Sequence, residues 1–374
     1  MVQELKCRIA VVGGGPAGCF CAAQLQDKFA VTVFEVKSPL ITLLPTGGGR
    51  CNLAHAEYDF RELAKNYPRG EKFLYSVFSR FSTAETIEFF EKIGVDTYIQ
   101  DDMRIFPVSN SAKDVRQKFL ASLKQTKFIK EYVLRVERTE CDFKVVTDAG
   151  CYHFDKVIIA AGGHRGYDIA RLLRHNIIEP RPSLVGLRTK EDFSSISGVS
   201  INDVLFTHKG ISGPAVYKIS SLKARERFPY KIKFNFTGDI DLQAELNRNP
   251  HKSIKNLLSE FVPKSFAEFV LIRLQINPDE KSHRINGKTR DKILSAFQNF
   301  EITAVGTVPD GEVVTSGGVD LKEINPKTME SRIVPGIYFC GEVIDVDGFC
   351  GGFNLQNCWS TAYIASISIA SLLP

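Results

Sequence analysis

Four side chains in this sequence have the chemistry to hand a proton to a reacting group: Cys51, Tyr167, His208 and Cys350. Three of them sit beside glycines. Cys51 stands in Thr46-Gly-Gly-Gly-Arg-Cys-Asn52, Cys350 precedes Gly351 and Gly352, and His208 comes two residues before Gly210. No Ser-His-Asp set and no pair of carboxylates suited to acid–base work accompanies them. They read as single acids beside a bound group that carries the electrons. Each also has a structural alternative, since a thiol fills space in a packed loop and a histidine before a glycine can simply fix a turn.

The elements that would position such a group begin at Arg8. Arg8 to Val12 is a short apolar run of strand type, and Gly13, Gly15 and Gly18 follow at G-x-G-x-x-G spacing. Cys19 to Gln26 continues as a segment compatible with a helix. Gly13 would allow the tight turn, Gly15 would let backbone approach a pyrophosphate, and Gly18 would let helix and strand lie close. The helix N-terminus would aim its free N–H groups at the phosphates. A second strand, Val31 to Glu35, ends in an acid 20 residues after Gly15, where a ribose-binding carboxylate belongs. The unit therefore reads as dinucleotide-binding.

The far end of the chain says which dinucleotide. Pro335 to Glu342 is a buried-type strand closing on Gly341 and Glu342, as in flavoproteins whose last strand presents a carboxylate to the ribityl chain of FAD. Gly351 and Gly352 then open a helix whose N-terminus would face the flavin pyrimidine and favour its anionic reduced form. Lys156 to Gly163 is a third strand ending in glycines. The sequence after it lacks G-x-G-x-x-G spacing, so no separate NAD(P) domain is expected. In this plan Thr46–Asn52 runs from the pyrophosphate toward the flavin, with phosphate or Glu35 as the partners of Arg50.

Matching stretches run almost end to end with a known family. "GGGPAG" at 13–18, "TGGGRCN" at 46–52, "RIFPVSNSA" at 104–112, "THKGISGPA" at 207–215, "TSGGVDLKEINPKTMES" at 315–331 and "GIYFCGEVIDVDGFCGGFNLQ" at 336–356 carry the resemblance. The chain resembles the BaiN/aminoacetone oxidase-like FAD-dependent flavoproteins, which include bile-acid reductases and bacterial ribosomal RNA dihydrouridine synthases. It departs from them after Gly162 and Gly163, where the family has a longer loop with a T-G-D-G element. That shortening would leave the flavin more open. Thr361, Ala362 and Ala365 also replace small glycines of the family's last helix, a change expected to affect packing only.

The expected fold is α/β: a Rossmann-type, glutathione-reductase-like FAD-binding domain at 1–185 and 315–374, interrupted by an inserted β-barrel-like domain at 186–240 and 297–314 that carries a helical subdomain at 241–296. The first part of the insertion reads as strand, as in "YKIKFNFTGDI" at 230–240, helical stretches broken by Pro250, Pro263 and Pro278 fill its middle, and the strand "ITAVGTVPDG" leads back. Residues expected to hold FAD are Gly13, Gly15, Pro16, Ala17 and Gly18; Glu35 and Val36; Gly49, Arg50, Cys51 and Asn52; Val133, Ala161 and Gly162; Gly341 and Glu342; and Gly352, Asn354 and Leu355. NAD(P)H is the expected transient reductant.

Composition bounds the rest. The chain has 374 residues, 44% of them hydrophobic and 24% charged, as expected for a globular protein. No stretch reaches the roughly 20 apolar residues of a membrane helix, and Cys358–Leu373 reads as a packed C-terminal helix. The N-terminus reads as lacking a signal peptide, and nine cysteines without CxxC pairs suit a reducing cytoplasm, with neither disulfides nor a metal site expected. Between 181 and 304 there are 20 Lys and Arg against 13 Asp and Glu, an excess of seven, so the rest of this +5 chain carries −2. Within that basic insertion Lys281, Arg284, Lys288, Arg290 and Lys292 surround a glycine with one acid among them, a composition suited to phosphate contacts or to a solvated face.

Three functions are consistent with this reading. The first is NAD(P)H-driven reduction of an activated C=C bond by FAD, with uridine in ribosomal RNA as the leading substrate. There Cys350 and His208 lead as proton donors, since their loops match family motifs, and Cys51 follows. The second is oxidation of a small amine by oxygen, as in aminoacetone oxidase. The third is a non-catalytic flavin-containing nucleic-acid binder.

Overall fold

The computed structural model describes residues 6–309 and 314–372. The chain forms two compact units, Met1–Arg181 with Val314–Pro374 and Pro182–Val313.

In the first unit five parallel strands lie in the spatial order Ile337–Phe339, Lys156–Ile159, Arg8–Val12, Ala30–Phe34 and Lys127–Ile129. The apolar runs read from the sequence become these central strands because both faces are covered. Ile9, Val11, Val33, Val157 and Ile159 are all buried. Helix Pro16–Leu25 packs on helix Phe353–Ala370, which is buried nearly all round, with Trp359, Ala362 and Ile364 and also the polar Gln356, Ser360 and Thr361 out of solvent. The indole N–H of Trp359 donates to the Leu53 carbonyl at 3.0 Å. This last helix starts five residues before the stretch expected for it, and Leu373 lies outside the described residues. No helix among the described residues is long and apolar enough to cross a membrane.

Two small antiparallel sheets and a two-stranded sheet of Ile177–Ser183 with Val314–Val319 accompany the parallel sheet. One pairs Arg104–Pro107 with Ala54–His55 on one side and Thr97–Ile99 on the other. The second is a meander of Val133–Arg138, Phe143–Thr147 and Cys151–Phe154, which feeds directly into the parallel strand at Lys156.

The second unit is built on six antiparallel strands in the order Ser200–Ile201, Val204–Thr207, Gly210–Ser212, Leu187–Thr189, Phe300–Thr307 and Tyr230–Phe234. Asp310 and Gly311, at the end of the expected "ITAVGTVPDG" strand, lie outside the described residues. Five helices accompany the sheet: Pro214–Leu222, Leu242–Arg248, Ile254–Leu258, Lys264–Arg273 and Gly287–Gln298. Phe206, Phe236, Phe266, Phe297 and Phe300 form an aromatic core with ring centroids 5–6.5 Å apart, the offset and edge-on spacing such rings prefer. Every strand pair in this unit is antiparallel, an arrangement unlike a dinucleotide-binding βαβ unit.

Candidate cofactor site

The glycine turns converge at the C-terminal ends of the parallel strands, where open α/β sheets bind their ligands. Steric demand explains their residue types. Gly13 has φ of 105°, and a Cβ there would stand 2.5 Å from the Ala160 carbonyl oxygen and 2.6 Å from Ala161 Cα, so the first turn presses on the Ala160–Gly162 turn. A Cβ on Gly341 (φ 75°) would meet that of Ala17 at 2.8 Å, which brings the last strand to the same helix. Gly15 differs: a Cβ there would find nothing nearer than Thr42 Oγ1 at 3.8 Å. The protein leaves open space beside it.

Three helices begin at this edge, and each begins on a glycine. Gly15, Gly162 and Gly352 are the N-caps of Pro16–Leu25, Gly163–Leu172 and Phe353–Ala370, with no capping side chain and no acid in the first turn. By contrast, Asp59, Ser111, Asp241 and Asn286 cap helices elsewhere through their side chains. The N–H groups of Ala17, Gly18, Asn354 and Leu355 find no acceptor among the described residues. Such donors, with the helix dipole behind them, fit an anion.

Glu35 completes the dinucleotide set. Its carboxylate accepts from the Gly14 N–H at 2.8 Å and from the Lys37 N–H at 2.7 Å, which fixes it at the strand end with lone pairs to spare for ribose hydroxyls. Val36, next to it, is 40% exposed. An open approach to Gly15, free N–H groups and a held carboxylate suit the pyrophosphate and ribose of FAD.

The Thr46–Asn52 loop owes its glycines to backbone shape. Gly47, Gly48 and Gly49 all have positive φ (57°, 68° and 86°), and Cys51 follows at 67°. The expected pairing of Arg50 with Glu35 does not form. Its guanidinium instead lies 4.2 Å from the Phe106 ring centroid and donates through Nε to the Gly47 carbonyl at 3.3 Å. Asn52 is buried, and with its amide oriented to match donors to acceptors it accepts from the Gly352 N–H at 3.0 Å and donates to the Ala54 carbonyl at 3.0 Å. It thereby ties this loop to the start of the last helix. The Asn354 amide is likewise engaged, bonded to both the N–H and the carbonyl of Gly348 at 2.9 Å, so its backbone N–H is what it can offer a ligand. Leu355, beside it, is half-buried. Val133 is buried with its carbonyl taken by Arg165 Nε at 2.7 Å. The Glu342 side chain is exposed.

The proton-donor candidates separate clearly. Cys51 is fully buried, and burial pushes its thiol up to about 12 against a smaller pull from the Thr46 hydrogen bond. It is a packing residue rather than an accessible acid. Tyr167 is also buried, its hydroxyl 3.5 Å from the carbonyls of Gly317 and Glu342. His208 is exposed in the turn between Val204–Thr207 and Gly210–Ser212 of the second unit. Cys350 is exposed beside the uncapped last helix, yet the surrounding loops raise its thiol above the ordinary value, with Arg104 pulling modestly the other way.

Two features escaped sequence reasoning. His55 packs its ring on Phe353 at 4.6 Å, with Nδ1 3.2 Å from the Gly351 carbonyl, in the loop that carries Cys350. A carbonyl only accepts, so Nδ1 bears the proton. The other is the bidentate ion pair of Arg69 with the fully buried Asp347, which pins the loop before Cys350. Only the short spacing of His55 from "TGGGRCN" could have flagged either one.

The basic run of the second unit is less available than its composition implied. Arg284 pairs with Glu280 at 3.5 Å, Arg290 with Asp291 at 2.7 Å and with Gln243, and Lys292 donates to the Leu274 carbonyl at 2.9 Å. Lys281 and Lys288 are the two of the five whose exposed side chains form no such contact among the described residues.

Comparison with known proteins agrees with this geometry. A family described as the HI0933-like protein Rossmann domain matches residues 7–368. Ribosomal RNA dihydrouridine synthase of Escherichia coli K12 is 30% identical over 389 residues, covering 94% of this chain and 95% of its own. The 3-dehydro-bile acid delta(4,6)-reductase of Clostridium scindens is 29% identical over 411 residues, covering 97% and 99%. Among solved structures, the open conformation of a flavocytochrome c3 fumarate reductase matches with a TM-score of 0.54 at 14% identity, over 99% of this chain and 79% of that one, a likeness of fold. The chain belongs to the HI0933-like Rossmann family and is, with it, an FAD-dependent oxidoreductase.

Proposed function

We propose that this chain reduces a carbon–carbon double bond conjugated to a carbonyl, that the substrate is uridine in ribosomal RNA, and that NAD(P)H visits the site as reductant. The observation that carries the reading is the exposed Cys350 thiol beside the uncapped N-terminus of the helix Phe353–Ala370. Bound FAD would supply hydride to one carbon of the double bond. The raised Cys350 thiol holds its proton at neutral pH and is the group suited to protonate the other carbon, with solvent restoring the proton afterwards. The free N–H groups of Asn354 and Leu355 stabilise negative charge that builds nearby. Arg69 and Asn52 hold the two loops that frame this arrangement.

The relatives' names support the reaction class. A dihydrouridine synthase adds two hydrogens across the uracil ring, and a delta(4,6)-reductase is named for the double bonds it acts on. The excess of seven positive charges between 181 and 304 supports a polyanionic substrate. The antiparallel sheet of the second unit supports a reductant that binds transiently rather than in a dinucleotide domain of its own.

Dihydrouridine content of ribosomal RNA from a strain lacking this gene tests the substrate. It should fall at one or more positions and return with the wild-type gene. Unaltered dihydrouridine, with an amine that reduces the flavin where NAD(P)H does not, would make the protein an amine oxidase.

A further inference from the structure

The basic run that the sequence singled out is largely engaged in internal contacts, and residues 281–292 contain no Phe, Tyr or Trp. A second stretch of the same unit is as basic and carries aromatic rings. "KARERFPYKIK" at 223–233 holds Lys223, Arg225, Arg227, Lys231 and Lys233 against one acid, Glu226. It forms the turn into Tyr230–Phe234, the edge strand of the six-stranded sheet.

The rings of Phe228 and Tyr230 lie nearly parallel in this turn, 5.0 Å apart with 19° between their planes. Phe228 is the outer layer, 39% exposed, and Tyr230 the half-buried inner one. Lys223, ion-paired with Glu226 at 2.7 Å, sits 5.1 Å from the Tyr230 ring centroid and steadies that inner layer. Arg227, next to the stack, is exposed and forms no hydrogen bond or ion pair among the described residues. Lys231, paired with Glu301 at 2.7 Å, and the exposed Lys233 lie on the face of the edge strand opposite Tyr230.

We infer that the Phe228–Tyr230 stack is a platform for an unpaired base of single-stranded RNA, with Arg227 on the adjoining phosphate. This rests on the RNA reading above and names the surface that would hold the strand outside the cofactor site. The chemistry favours it over a protein partner. Five cations and one acid in eleven residues would leave a protein partner to desolvate charge for one exposed ring, whereas planar bases on a charged backbone need one ring face and cations at its side.

The test is fluorescence anisotropy of a labelled single-stranded oligouridylate with the flavin-loaded full chain, across a salt series. Phe228→Leu should bind about tenfold more weakly, with an unchanged salt slope, because it removes a ring and no charge. Phe228→Tyr should bind like the wild type. Arg227→Ala should lower the salt slope by about 0.7, the value for one lost phosphate contact on a single strand. Flavin absorbance and melting temperature report folding, and if Phe228→Leu melts early the wild type's binding of oligouridylate is compared with that of an abasic single strand of equal length, where about tenfold weaker binding of the abasic strand is expected and equal binding overturns the platform.

If the wild type binds RNA and neither substitution weakens it, the platform is wrong while the RNA reading stands. If the wild type binds no RNA, both fall. If Phe228→Leu weakens heparin, a polyanion without bases, as much as it weakens oligouridylate, base stacking is overturned. Equal Phe228 dependence on a fully paired duplex would overturn it too.

Discussion

A Cβ placed on Gly18 would stand 1.9 Å from the carbonyl oxygen of Gly13, so the first helix and first strand touch through backbone at this point. The contact makes two glycines of one motif separable by experiment. Gly18→Ala must push the helix off the sheet, and it should lower the melting temperature by several degrees along with losing flavin. Gly15→Ala meets no protein atom within 3.8 Å and has an ordinary φ of −76°. It should fold like the wild type and lose flavin only. Thermal melts of the flavin-free wild type and variants, with the flavin absorbance of each as purified, decide this, because bound flavin itself raises the melting temperature, and early melting of flavin-free Gly15→Ala would refute the assignment of its open side to the cofactor.

Glu35 should hold the ribose because two backbone N–H groups already fix its carboxylate. Glu35→Ala is expected to weaken FAD retention by roughly 1.5–3 kcal/mol, the range for a hydrogen bond to a charged group. Flavin released on dilution, measured by fluorescence, gives the number. Retention equal to wild type would mean another group carries the ribose.

The ion pair of Arg69 with Asp347 should behave as a buried one, since Asp347 is fully buried and Arg69 nearly so. Arg69→Met strands a charge in the interior and should cost about 3–5 kcal/mol in denaturant unfolding. The double change Arg69→Met with Asp347→Leu should recover much of that loss. If the double variant were as unstable as the sum of the singles, the pair would not be the interaction that fixes this loop.

How much of this was legible in the sequence depended on whether a constraint is local. Gly13, Gly15 and Gly18 could be read because a strand, a turn and a helix meet within a few residues, and Glu35 because one crossover fixes its distance from them. Arg69 and Asp347 lie 278 residues apart and carry no spacing signal. His55 belongs to a strand of two residues, too short for periodicity to reveal. The run from Lys281 to Lys292 was legible as composition only, because its partners Glu280, Gln243 and the Leu274 carbonyl come from different turns of the fold. Arg50 was drawn toward Glu35 by charge, and the local turn gave it Phe106 and Gly47 instead.

Cys350 links the site to pH. Its thiol is raised by the packing of the surrounding loops, so it keeps its proton through neutral pH and loses it only as pH climbs past the ordinary thiol range. Iodoacetamide labelling of Cys350, followed by peptide mass spectrometry, should be slow at neutral pH and accelerate above that range, while turnover falls over the same interval. Fast labelling at pH 7 would show a thiolate, which has no proton to give. Cys350→Ser should lower turnover by about 10²-fold and leave flavin bound, as loss of a single general acid does.

In the proposed reaction electrons pass from a nicotinamide through the flavin to a double bond in RNA. Anaerobic stopped-flow absorbance tests it in one sequence of mixing. NADH or NADPH should bleach the flavin, and ribosomal RNA from a strain lacking the gene should then restore its colour with dihydrouridine formed in the same tube. A flavin that neither nucleotide bleaches, or a reduced flavin that such RNA leaves colourless while oxygen reoxidises it at once, would rule out RNA reduction by this route.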